Sequence, residues 1–301
     1  MKRLIIIAVA LLCLTSIWAQ EMTVAERNAA QGFNDTIDRL APDFVLVSLC
    51  IADPTDQSQD YLGITGHAFL RLQCPTFGLD YCFSYESEKI KGQLWDYITG
   101  NLKMGMRGVH TSDYVEDYRI WKRAVHEYRI NMPPEAEQRL WEQMDNHMLA
   151  ENEMQMNLIK YGCTNTLLRY VERALVPDEI VYLWPEKYMT KTAMEIVEEH
   201  LQNYPWTLFG FRLTVRSEMR QMEMPKQKII LPPDLLEVWS IATINGEPLL
   251  TYLGDLVEAE PVVVKKPWFT PQLCCILLLI LIAGIIGSVL VHRQKIYNHK
   301  S

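Results

Sequence analysis

Two stretches of the chain are apolar without interruption, and they stand at opposite ends. Lys2-Arg3 precedes an unbroken run from Leu4 to Leu14, followed by Ser16, Ile17, Trp18 and Ala19. This is the basic, apolar and small-residue layout of an export signal cleaved after Ala19. As a helix its core reaches only ~16 Å, about half a bilayer's hydrocarbon, so residues 1–19 predict a removable signal and not a permanent span. Leu12 stands before Cys13 where a lipidated cysteine needs a small residue, so an ordinary signal peptidase is expected. The second run, Leu273 to Val291, holds no charge and spans ~28 Å as a helix, which matches the hydrocarbon thickness. Trp268 and Phe269 lie where an interfacial aromatic belt is expected, and Arg293, Lys295 and Lys300 follow the run. With an export signal at the other end, the middle of the chain is expected outside and residues 292–301 in the cytoplasm. Ala283 with Gly287, and Gly284 with Ser288, are small residues four apart that offer a pairing face for a homodimer through the span.

Between these runs the periodicity changes from element to element. Met22 to Leu40 has a helical apolar rhythm that ends before Pro42. Phe44 to Cys50 is continuously apolar, as a central strand would be. Gly66 to Leu72 alternates, His67, Phe69 and Arg71 on one face and Ala68, Leu70 and Leu72 on the other. Tyr81 to Tyr85 alternates again after Pro75-Thr-Phe-Gly78, which predicts a hairpin. Arg119 to Asn131 reads as a further strand, and a helix is expected from about Glu135 with Leu140, Met144 and Met148 on one face. After Cys163 the spacing of Leu167, Leu168, Val171, Ala174 and Leu175 is that of a buried helical stripe. A helix is expected at Pro233 to Ile241 among short strands, and Pro261 to Pro267 reads as a stalk. The pattern predicts one α+β domain on an antiparallel sheet over residues 20–258, a stalk over 259–272 and a membrane helix over 273–291.

Charge sharpens this division. The net charge of the whole chain is −8; residues 1–19 carry +2 and residues 267–301 carry +3, which leaves −13 on residues 20–266. So acidic an ectodomain is expected to bind no nucleic acid, which needs a basic face. It is also not drawn to anionic headgroups by charge. At 49% apolar and 22% charged residues the composition is globular and excludes bulk disorder.

The residue that points to chemistry is Cys163, at the boundary between Tyr161-Gly162 and the helix that begins with Thr164. A thiol at a helix start faces unpaired amides and the positive end of the dipole, which favour a thiolate and suit an oxyanion. A small buried hydrophobe is the competing reading of any such cysteine. A nucleophile needs a base, and His67 has the best context: a strand position after Gly66, which permits close approach. His110 follows Gly105-Met-Arg-Gly108 as if in a loop, while His126, His147 and His200 read as surface or helix-end residues. Asp80 and Tyr85 are the candidates to orient the imidazole, between which strand alternation does not choose without the register, and Arg71 either holds an anionic group or makes a structural ion pair. Cys74 and Cys82 lie on the two arms of the hairpin and are candidates for a disulfide, against four free thiols as the alternative. The sequence has no metal-ligand spacing, phosphate loop, dinucleotide glycines or serine elbow, so no metal or cofactor is expected.

Gly66-His67-Ala68-Phe69-Leu70-Arg71, then Asp80-Tyr81-Cys82-Phe83-Ser84-Tyr85, then Tyr161-Gly162-Cys163-Thr164 resemble the Lnb N-terminal periplasmic domain family. Ile98-Thr-Gly100, Glu127 to Met132 and Leu231-Pro232 extend the resemblance to roughly residues 35–255. Gly162 stands where the family usually has Asn, and one apolar span follows where fuller members carry several. The resemblance implies a permuted papain-like, NlpC-type fold with the histidine strand before the cysteine helix. It also implies lipoprotein N-acylation at the inner membrane. A phospholipid or lipoprotein would give an acyl group to Cys163, and the thioester would acylate the terminal amine of a lipoprotein. His67 would then be general base and acid, with Arg71, Gly66, Thr164 and Tyr161 near the substrate. An NlpC-type cell-wall amidase or peptidase, and a non-catalytic periplasmic interaction module, are the alternative functions.

Overall fold

A computed structural model of the chain describes residues 45–55, 63–86, 103–149, 154–155, 162–260, 262, 264 and 266–298. The export signal, the helix expected at 22–40, the segment 98–100 and Tyr161 lie outside the described residues. In chain order the elements are β1 (Leu46–Ala52), β2 (His67–Cys74), β3 (Leu79–Glu86), β4 (Lys103–His110), α1 (Thr111–Ile120), β5 (Val125–Ile130), α2 (Pro134–Leu149), β6 (Met154–Gln155) and α3 (Cys163–Leu175). They continue with β7 (Ile180–Val181), α4 (Glu186–Thr190), α5 (Ala193–His200), α6 (Pro205–Thr214), α7 (Arg216–Met219), α8 (Pro232–Ile241), β8 (Thr243–Ile244), β9 (Glu247–Pro248), β10 (Leu250–Val257) and α9 (Pro271–Asn298). The fold is α+β.

The main sheet is antiparallel in the order β10-β5-β1-β2-β3-β4-β6. An interior strand, β1, is the continuous apolar run, buried along nearly its whole length because helices cover both faces. Val47, Leu49 and Ile51 of β1, with Ala68, Leu70 and Leu72 of β2, pack against Leu140 and Met144 of α2, the α3 stripe, and Leu235 and Val238 of α8. Burying each such side chain contributes about 1.5–3 kcal/mol, so this face holds most of the apolar stabilisation. The opposite face is smaller: Cys50, Phe69 and Cys82 pack on Tyr114, Val115 and Tyr118 of α1. A third cluster joins α5, α6 and α7 to Ile64, Ile230 and Leu231.

Three expectations change. Arg119 and Ile120 end α1, and the strand begins only at Val125. Thr111, Tyr114, Val115 and Tyr118 are the buried positions of α1, a helical spacing inside a segment whose charges mask it. His110 ends β4 and does not lie in a loop; Met104 and Met106 share a buried face, and Gly105 and Gly108 pair with Glu86 and Phe83. Cys74 and Cys82 are free thiols. The hairpin register sets Cys74 opposite Leu79 and Cys82 opposite Arg71. Three residues of strand, ~10 Å, separate them, and alternation turns them to opposite faces, beyond the reach of a disulfide.

Candidate active site

The sheet opens at one place. The β2–β3 ladder ends at Leu70↔Phe83, while β1 stays paired to Ala52↔His67 and β4 to Glu86↔Gly105. Between the ends of β2 and β3 there is therefore a slit, with His67, Ala68 and Phe69 on one lip and Ser84, Tyr85 and Glu86 on the other. Gly66 sets up the first lip. Its φ is +81°, and a Cβ there would stand 3.0 Å from the Ala52 carbonyl and 3.7 Å from Pro232.

Cys163 caps the slit from the α3 side. Gly162 precedes it in extended conformation (φ −72°, ψ 166°) with no side-chain cap, so the first-turn amides of α3 are open. The buried stripe Leu167, Leu168, Val171, Ala174 and Leu175 holds the helix on β2. The Ala68 amide and the amides of Cys163 and Thr164 favour the charged form of the sulfur. The Thr164 hydroxyl is 3.9 Å from it, and Thr164 itself is fully buried. Burial outweighs these amides and pushes the thiol above its ordinary value, so the resting group is a neutral thiol.

His67 lines the same slit from the other face. Its Nε2 is 2.7 Å from Ser84 Oγ, Ser84 Oγ donates to Glu86 Oε2 at 3.2 Å, and its ring stacks on Phe69 at 6.1 Å. Glu86 is further fixed by Arg107 at 2.7 Å and the Tyr114 hydroxyl at 3.2 Å, while burial raises its carboxyl. Burial, with the nearby Arg123 guanidinium, lowers the His67 imidazole to about 3, so it is neutral. Arg123 donates to the carbonyls of Asp53 and Gly63 and fixes the turn that leads into Gly66. Cys163 and His67 are thus one strand residue apart at the slit, both uncharged. No hydrogen bond joins them among the described residues.

The remaining expected residues are placed elsewhere. Asp80 does not orient the imidazole: both its oxygens take the Arg71 guanidinium, at 2.8 and 2.6 Å, and Thr111 and Gln73 also donate to it. Arg71 reaches Glu127 as well, at 2.9 Å, so its fork is filled by a structural ion-pair network and not by substrate. Burial raises the Asp80 carboxyl, and Arg71 and Thr111 outweigh this and leave it below the usual range. Tyr85 faces the α2–α3 side, edge-on to His147, away from the imidazole. His126 lies between Asp53 and Asp255, His110 bonds Tyr81, His147 bonds Tyr170, and His200 bonds buried Asp234. Ser84 and Glu86 are the partners that the sequence reading missed. The four-residue loop of the hairpin holds the signal for them, since Cys74↔Leu79 extrapolates to Phe69 opposite Ser84 and His67 opposite Glu86.

An antiparallel α+β domain joined to one helix, Pro271–Leu290 at its apolar part, long and apolar enough to cross a membrane, defines a membrane-associated class of protein. The Lnb N-terminal periplasmic domain family matches residues 40–190, about half of the chain, and the chain belongs to that family. No curated protein and no solved structure matches it. The match runs from before β1 to the end of α4 and includes both His67 and Cys163. Family and helix together make this a membrane-associated protein with a periplasmic part and, among the described residues, one helix able to span the bilayer.

Proposed function

We propose that the protein is a membrane-anchored cysteine acyltransferase of the periplasm, and that it acylates the terminal amine of lipoproteins at the inner membrane. In this reading residues 20–258 form the periplasmic catalytic domain on a permuted papain-like plan. Residues 259–272 are the stalk, 273–291 the span and 292–301 the cytoplasmic tail. The observation that carries the reading is that Cys163, at the start of α3, lies against the residue after His67, whose amide favours the charged form of the sulfur.

The chemistry follows from the groups present. His67, held at Nε2 by Ser84, takes the thiol proton on Nδ1 as the sulfur adds to the ester carbonyl of a phospholipid or lipoprotein. The Cys163 and Thr164 amides stabilise the oxyanion. The C–O bond breaks, the alcohol leaves with the proton returned by imidazolium, and a thioester remains. The lipoprotein amine then attacks the thioester; the C–S bond breaks, an amide forms, and the amine proton goes back through His67 to the thiol. A neutral resting pair suits this order, since the proton moves only when an ester is at hand.

A second reading, a non-catalytic interaction module, is favoured by the bond of His67 to Ser84 with, among the described residues, none to Cys163. The full chain in nanodiscs, given phospholipid and an amino-terminal lipopeptide, separates the two. Acyl transfer requires a hydroxylamine-labile acyl adduct on the peptide that holds Cys163, absent from Cys163→Ala and His67→Gln, and acylated lipopeptide as product. Folded wild type that forms neither adduct nor product supports the module.

A further inference from the structure

Helix α6 has apolar residues on two faces, and the fold uses only one. Phe211 is buried, and Leu208 packs with Leu201, Tyr204 and Met219 in the α5–α7 cluster. On the other side Trp206, Phe209 and Leu213, spaced three and four apart, form one exposed stripe; Leu213 is 70% exposed. Arg212 is occupied by Glu198 at 2.8 Å, so no free cation of α6 is needed to explain what the stripe meets.

The stripe is attached to the foot of the membrane helix. Trp206 Nε1 donates to the Phe269 carbonyl at 2.9 Å, and the two rings lie 5.6 Å apart. Val264, earlier in the same connection, packs on the α5–α7 cluster. The apolar part of α9 begins at Pro271, so Phe269 is at most ~7 Å from the start of the span. The headgroup layer on each side of the hydrocarbon is ~5–8 Å deep. Trp206 is therefore within reach of the headgroup layer, as is Trp268, which is 84% exposed. Trp and Phe are the side chains that settle in this layer, one end apolar and the other wet.

We infer that the Trp206–Phe209–Leu213 face of α6 docks into the interfacial layer of the same bilayer that α9 crosses, and that this second attachment fixes the height of the domain above the membrane. The inference rests on α9 being a membrane span and goes beyond the acyltransferase reading. Being apolar, the attachment works on zwitterionic lipid, which agrees with an acidic domain. The α5–α7 cluster also contains Ile64, two residues before Gly66, and Leu231, next to the Pro232 that faces Gly66. The docked unit thus reaches the slit through a few packed side chains.

Photo-crosslinking of the full chain in phosphatidylcholine nanodiscs tests this. A benzoyl-phenylalanine is placed singly at Phe209, Leu213, Leu281 in the span, or Ile120, an exposed residue at the end of α1. Lipid adducts at positions 209, 213 and 281 with none at 120 are expected. Adducts at 281 alone, chain-to-chain adducts at 209 and 213, or a signal at 120 equal to that at 213 each overturn the docking and leave the span intact. Absence of lipid adducts at 281 overturns the span, and the docking with it.

Discussion

The imidazole of His67 and the hydroxyl of Ser84 face each other across the β2–β3 slit at 2.7 Å, with Ser84 in turn 3.2 Å from Glu86. Glu86 is bonded to Arg107 and so acts as an acceptor, which directs the Ser84 proton to it and leaves the Ser84 oxygen to accept from His67 Nε2–H. The neutral ring then carries its lone pair on Nδ1, the atom free to act as base.

Ser84→Ala therefore removes the partner that selects this tautomer. Loss of one such hydrogen bond is worth about 1 kcal/mol, so acylation of Cys163 in a single turnover is expected to slow roughly fivefold to tenfold with unchanged substrate affinity. Glu86→Gln should act in the same direction, because the amide can donate to Ser84 and reverse the chain. Single-turnover rates against substrate concentration check this; wild-type rates in both variants would remove Ser84 and Glu86 from the site.

Cys163 is expected to react as a thiol and not as a preformed thiolate. Burial holds its titration above the ordinary value of 9.0 despite the Ala68 and Thr164 amides. Alkylation of the full chain by iodoacetamide, read at the peptide that holds Cys163, should accelerate with pH and reach its midpoint above that value. A midpoint in the neutral range would mean that an ion pair with His67 already exists at rest.

The elements that sequence reading located best are those with a single unmixed period. The alternation of β2 assigned His67 and Ala68 to opposite faces, and the structure puts Phe69 with α1 and Ala68 with α3 as that alternation requires. The α3 stripe is buried at each of the five named positions for the same reason. Where period and composition conflict, the reading failed. Gly105 and Gly108 disguise β4, and four charged side chains disguise α1. At the site, the residue types pointed to Cys163 and His67. The orienting partner was not legible from type, because Asp80 is the more obvious carboxylate and only the hairpin register assigns it to Arg71.

Arg71 is expected to matter for folding and not for catalysis. Its guanidinium joins Asp80 and Glu127, of which Glu127 is only 7% exposed. Arg71→Met leaves both carboxylates without their cation and should cost about 3 kcal/mol, and Arg71→Lys should recover only part of it, since an ammonium cannot fork to two carboxylates. Urea unfolding of the full chain in detergent gives the loss. A variant of normal stability that fails to transfer acyl groups would instead place Arg71 on the substrate.

Gly66→Ala probes the lip of the slit. At φ +81°, with a new Cβ 3.0 Å from the Ala52 carbonyl, the strand start must move. The left-handed conformation alone costs ~1–2 kcal/mol for a residue with a side chain. Stability is expected to fall by about that much, measured by urea unfolding, and the His67–Ser84 tie should loosen with it. A neutral effect would show that the turn before β2 is more accommodating than its packing implies.

The buried neutral imidazole also gives the protein an acid-sensitive step. In the unfolded chain His67 takes up a proton near 6.5, whereas in the fold it does so only near 3. Above the first value neither state is protonated and His67 contributes no pH dependence. Between the two values the unfolded state holds the extra proton, so stability falls as pH falls, by up to ~1.4 kcal/mol per pH unit. The Glu86 and Asp80 carboxyls, which the fold also shifts, are retained in a His67→Gln variant and so drop out of the comparison. The stability of wild type relative to His67→Gln should therefore decline steadily on acidification from 6.5 towards 3 in urea titrations of the full chain. Parallel curves for the two proteins would show that His67 titrates in the fold as it does in the unfolded chain, and that burial does not hold the ring neutral.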